Sequence, residues 1–159
     1  MNNQEIQKLI EDLIVNLGIG IKEIIIEEVT TPNTLNSTWF RVYVEEPHYF
    51  THRNGESLQS LNSIVKRIIE NKIKDETKKL NFIIDINNFQ KNKIDNLHQI
   101  AHMMAERARY FKSNIQIDPM SPFDRRIVHE FLANETDLKT ESNGEGKDRH
   151  VVIKYIGNI

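Results

Sequence analysis

The chain predicts an α+β protein built from two small α/β modules, and three observations carry that prediction. Apolar residues recur at helical spacing in several segments. Others alternate at strand spacing between them. The elements follow the order αββαβ and then αβαββ, with neither an internal repeat nor a low-complexity linker between the halves. The modules are expected to abut near residue 87, giving domains at 1–86 and 87–159.

In order, Ile6, Leu9, Ile10, Leu13, Ile14 and Leu17 form one helical stripe that stops before Gly18 and Gly20. Residues 21–29 read as a strand. After a polar stretch with Pro32, residues 38–46 read as its antiparallel partner, with Phe40, Val42 and Val44 on one face. Pro47 and Gly55 bracket an irregular segment, and Leu58, Leu61, Val65 and Ile68 restore helical spacing with Ser57 as the N-cap. Residues 80–86 form a strand. A long helix over 88–112 turns Leu97, Ala101, Met104 and Ala108 inward, and 115–118 is a short strand. Ser121 caps a helix that has Pro122 in its first turn and runs to about 134. Strands at 138–142 and 151–155 flank the turn Asn143-Gly144-Glu145-Gly146.

The 159 residues are 38% apolar and 28% charged, with a net charge of −2. That balance hides a split: residues 1–50 carry a net −5 and residues 51–126 a net +5. Any basic surface is expected from residue 51 onward. With no cysteine, disulfide frameworks, thiolate zinc sites and cysteine nucleophiles are excluded. No apolar run is long enough to span a bilayer, and the polar start Asn2-Asn3-Gln4-Glu5 is unlike a signal peptide. A soluble, cytoplasmic protein without membrane insertion is expected.

Four places could carry chemistry. The loop Thr51-His52-Arg53-Asn54-Gly55-Glu56-Ser57 leads into a helix start, where free N–H groups favour phosphate. Arg53 adds charge there, and Gly55 permits close backbone approach. Arg125 and His129, at i and i+4, share one helix face and suit phosphate and base respectively, with Arg126 as a supporting cation. The alternative is that Asp124 and Glu130 neutralise the arginines and His129 packs on the sheet. His98 and His102 resemble half a metal site, but HQIAH lacks the glutamate of HExxH, so no metal is expected. Arg107, Arg109 and Lys112, interleaved with Tyr110 and Phe111, close the long helix. Cations are favoured there regardless of function; the interleaved aromatics would suit stacking on bases, but Phe111 is expected in the core. No GxSxG, P-loop or GxGxxG is present, so no enzyme, cofactor or small-molecule substrate is expected.

Taken in order, these segments resemble a known family. DPMSPFDRRIVH at 118–129 and ESNGEGKDRHVVI at 141–153 are similar to the C-terminal domain of the bacterial Jag (SpoIIIJ-associated) proteins. That R-3-H domain is named for an Arg and a His three residues apart, and the pair falls on Arg125 and His129. Residues 85–108 resemble the family's strand end and long helix, and 3–86 match the layout of its type II K-homology (KH) domain. The resemblance implies a non-enzymatic, single-stranded RNA-binding protein. It also implies a post-transcriptional regulatory role linked to envelope growth or division, and a separate small KH-domain protein as partner. The KH signature Gly-x-x-Gly falls on His52-Arg53-Asn54-Gly55, so its first glycine is replaced. The family's additional small N-terminal domain is expected to be absent. The rival expectation is a protein-interaction scaffold with a degenerate KH fold and little RNA binding.

Overall fold

The computed structural model describes residues 2–31, 34–72 and 81–157. Pro32 and the first residue of the strand expected at 80–86 lie outside them. The backbone falls into two units, Met1–Lys91 and Asn92–Ile159.

In the first unit, helix α1 (Asn3–Asn16) starts at a capping box. Asn2 Oδ1 accepts from the Glu5 N–H at 2.8 Å, and the Glu5 carboxylate accepts from the Asn2 N–H at 3.0 Å. Ile6, Ile10 and Ile14 are buried on its stripe. Leu17, expected on that stripe, is 64% exposed, because it is the C-cap where the chain turns away through Gly18. Strands β1 (Ile21–Thr31) and β2 (Thr34–Val44) pair antiparallel, with Ile24 opposite Val42 and Ile26 opposite Phe40. The second strand thus begins and ends earlier than the 38–46 expected, with Glu45 and Glu46 outside it.

Strand β3 (Phe82–Ile86) pairs with β2 in parallel, Phe40 beside Ile84 and Val42 beside Ile86. A parallel neighbour demands a crossover, and helix α2 (His48–Lys72) supplies it. Phe40, Val42, Ile84 and Ile86 pack against α1 and against Leu58, Leu61, Val65 and Ile69 of α2 in one core. The single tryptophan, Trp39, is also buried. Asn87 and Asn88, both left-handed, then reverse the chain. The carboxylate of fully buried Asp85 accepts from the N–H groups of Gln90 and Lys91, at 2.8 and 3.1 Å, and so starts α3 (Phe89–Phe111).

In the second unit, Leu97, Ala101, Ala105 and Ala108 of α3 are buried, with Met104 half-buried beside them. The helix ends in a Schellman turn: Lys112 is left-handed, and the Ser113 N–H donates to the Ala108 carbonyl at 3.2 Å. Strand β4 covers only Ile115–Gln116, shorter than the 115–118 expected. Helix α4 (Pro122–Leu132) is capped by Ser121, whose Oγ accepts from the Asp124 N–H at 3.2 Å. Strands β5 (Leu138–Asn143) and β6 (His150–Tyr155) complete an antiparallel sheet in the order β4-β6-β5. Gly144, at φ +88°, permits the hairpin; a Cβ there would lie 2.8 Å from the Asp148 carbonyl oxygen. No described helix is long and apolar enough to cross a membrane.

Candidate nucleic-acid interface

The segment at 48–54 is not irregular throughout. It opens with a helical turn from His48, and α2 breaks only at His52–Gly55. The helical conformation resumes at Glu56, so Ser57 lies inside the first turn and is not its cap. Arg53, Asn54 and Gly55 are all left-handed, at φ +48°, +61° and +82°, whereas His52 is at φ −59°. The position that replaces the first signature glycine therefore carries no backbone strain. The conformation that favours glycine sits at the next three residues. Gly55 is buried because Phe89 covers it. A cavity of about 490 Å³ opens beside the loop, lined by His48, Tyr49, His52, Arg53, Glu56 and Ser57. The His48 and Tyr49 rings stand 4.1 Å apart.

Helix α4 sorts its residues by face. Asp124, Val128 and Leu132 are buried, and Phe123 and Phe131 lie on the flank where Phe131 stacks on His98 of α3, centroids 4.5 Å apart. Arg125 and His129 occupy the opposite flank, both half-buried. Arg125 donates from Nη1 to the Met120 carbonyl at 2.8 Å and has no carboxylate partner among the described residues. Asp124, the expected neutraliser, is instead ion-paired with Lys93 at 3.0 Å. Glu130 does pair with the exposed Arg126, at 2.7 Å. A surface i,i+4 pair of this kind is weak and opens readily to a competing anion.

His129 meets Thr140 of β5, Nδ1 to Oγ1 at 2.7 Å. Burial, and then the neighbouring Arg125 charge, hold the imidazole below its ordinary value of 6.5. The ring is therefore neutral at neutral pH, suited to stacking or hydrogen bonding and not to acting as a cation. The unfolded chain takes up a proton near pH 6.5 where the folded chain does not, so stability is complete above that pH and falls below it. Melting temperatures measured from about pH 7.5 down to 5 should decline less steeply for His129→Gln than for the parent.

Two members of this surface went unread in the sequence. Thr140 shares a strand face with buried Leu138, two residues before it, so alternation alone carries the signal. Arg149 is exposed and without an ion-pair partner among the described residues. Its carbonyl accepts from the Met120 N–H at 3.2 Å, and Met120 in turn accepts from Arg125. Nothing in local spacing brings 149 to 120.

The remaining candidates resolve differently. His98 is half-buried against Phe131 and His102 is exposed. Arg109 binds Asp137 with Nε and Nη2, at 2.7 and 2.8 Å, and also reaches Glu106 and Glu135. These contacts push its pKa further up and hold the Asp137 carboxyl below the usual range, so Arg109 is a structural tie. Phe111, expected in the core, is 59% exposed, because α3 ends beneath it and the chain departs through Lys112.

Residues 95–155 match the family described as the R-3-H domain. The chain is 29% identical over 101 residues to the RNA-binding protein KhpB of Clostridium symbiosum, covering 64% of this chain and 44% of that protein. It is 26% identical over 130 residues to the RNA-binding protein KhpB of Bacillus subtilis, covering 80% of this chain and 61% of the relative. With the protein of that name from Streptococcus pneumoniae D39, the figures are 22% over 128 residues, 79% and 38%. The chain thus spans less than two thirds of each relative's length.

Proposed function

That the chain carries the R-3-H domain of the Jag proteins is the premise from which we propose that it binds single-stranded RNA. The observation that carries the reading is the flank of α4. An arginine without a carboxylate partner among the described residues stands beside a neutral histidine whose far side is tied to Thr140. Arg125 would take a phosphate and His129 a base, with Arg149 adjoining and Arg126 free to leave Glu130 when an anion competes. In the first half, Arg53 would meet RNA backbone, with Gly55 completing the left-handed turn that presents it. We read residues 1–86 as a KH-like domain and 87–159 as the R-3-H-like domain. The protein acts by binding and not by catalysis. A cytoplasmic post-transcriptional regulator, with a small KH-domain protein as partner, is the role that follows from the resemblance.

The test is binding of the full chain to a labelled single-stranded oligonucleotide at several salt concentrations. With at least Arg125, Arg149 and Arg53 each neutralising one phosphate, the slope of log affinity against log salt should be about −2 or steeper. A second reading, a protein-docking scaffold, draws on the net −5 of residues 1–50 and on Glu56 in the wall of the loop cavity. Affinity too weak to measure at low salt decides for the scaffold.

A further inference from the structure

The last turn of α3 carries an aromatic pair left in solvent. Tyr110 is 83% exposed and Phe111 59%. Their rings meet edge to face, centroids 5.0 Å apart and planes at 90°. Aromatic quadrupoles favour that arrangement, so the rings order one another while the core covers neither. Two cations flank them. Arg107 lies one turn back on the same side of the helix, its guanidinium meeting the Met104 sulfur at 3.9 Å, and Lys112 follows directly. Both are exposed, and neither has a carboxylate partner among the described residues. The nearby carboxylates of Glu106, Glu135 and Asp137 are all bound by Arg109.

Exposed rings beside uncommitted positive charge suit a single strand, which sets bases on the rings and phosphates on the cations. A protein partner is less well matched, since the pair is bordered in the chain by Arg107, Lys112, Ser113 and Asn114, all exposed and polar. Position adds a second argument. Arg109 ties this helix end to Asp137, directly before β5. Thr140, which meets His129, lies three residues farther along the chain, a span of about 10 Å in extended backbone.

We propose that Tyr110 and Phe111, with Arg107 and Lys112, form a second stacking contact for the same RNA strand that crosses Arg125 and His129. The proposal rests on the RNA-binding reading, and one set of measurements separates the two. A labelled oligouridylate of about 12 nucleotides is titrated with the full chain, with Arg125→Ala, and with two double variants. Tyr110→Leu with Phe111→Leu keeps apolar bulk and removes the π faces; affinity should fall about tenfold or more while the unfolding midpoint stays put. Tyr110→Phe with Phe111→Tyr keeps the faces and should bind like the parent. If the parent and Arg125→Ala differ as expected but the leucine variant binds like the parent, the stacking contact is refuted and the RNA reading stands. Equal losses in both double variants also refute stacking. A parent that does not bind the oligonucleotide removes both.

Discussion

Gly55→Ala is expected to destabilise the first unit by about 2–5 kcal/mol, the sum of two separate penalties. The backbone there stands at φ +82°, where an L side chain costs roughly 1–2 kcal/mol. The new Cβ would also fall 2.6 Å from Cε1 of Phe89, a ring packed against the core, and relieving such overlap typically costs about 1–3 kcal/mol. Urea unfolding followed by the fluorescence of Trp39, buried in the same unit, reads the change directly. The two penalties separate in a double-mutant cycle. In a Phe89→Leu background the steric part should shrink and the conformational part remain, so the alanine should cost only about 1–2 kcal/mol. An undiminished cost in that background would show that Phe89 is not what the glycine accommodates. A negligible cost in the parent would mean that the loop does not hold its left-handed run in solution.

That prediction depends on conformations no local pattern announces. Arg53 and Asn54 are not glycines, and their left-handed backbones follow from joining two helical stretches across the turn. The glycine whose spacing is legible, Gly55, is needed both for its φ and for Phe89, a ring 34 positions later. Elsewhere the α+β reading follows from periodicity because burial and period coincide. Ile6, Ile10 and Ile14 face the core as their spacing requires, as do Phe40, Val42 and Val44. Ser121 and Pro122 mark a helix start by local chemistry alone. Periodicity fails where an element ends, since Leu17 and Phe111 continue their stripes in sequence but have nothing left to pack against. Charge pairing was the least legible feature. Arg109 reads as a surface cation until Glu135 and Asp137, beyond α4, arrive to bind it. Asp124 was free to neutralise a neighbouring arginine until Lys93 claimed it. Arg125 is thereby left without a carboxylate partner among the described residues, a consequence of the fold and not of the motif.

On the RNA-binding reading, the substitutions at Arg125 and His129 should therefore separate by their salt dependence. Arg125→Ala removes a point charge that meets phosphate, so affinity should weaken about equally for different sequences. The slope against log salt should shrink by about 0.7. Its hydrogen bond to the Met120 carbonyl is lost as well, at a stability cost of about 1 kcal/mol. His129→Ala removes a neutral ring, so the affinity loss should be roughly 1–3 kcal/mol and nearly independent of salt. Because His129 also joins α4 to β5 through Thr140, a fall in melting temperature alone would not distinguish contact from anchoring. Thr140→Val makes that distinction: it deletes the anchor and leaves the ring. If His129 touches the base, Thr140→Val should keep most of the affinity while losing about as much stability as one hydrogen bond provides, about 1 kcal/mol. If His129 only anchors the helix, the valine should weaken binding as much as the alanine does. Anisotropy titrations at several salt concentrations beside thermal melts supply both readouts. Should Arg125→Ala and His129→Ala both bind like the parent, the flank of α4 is not the RNA contact, whatever the rest of the chain binds.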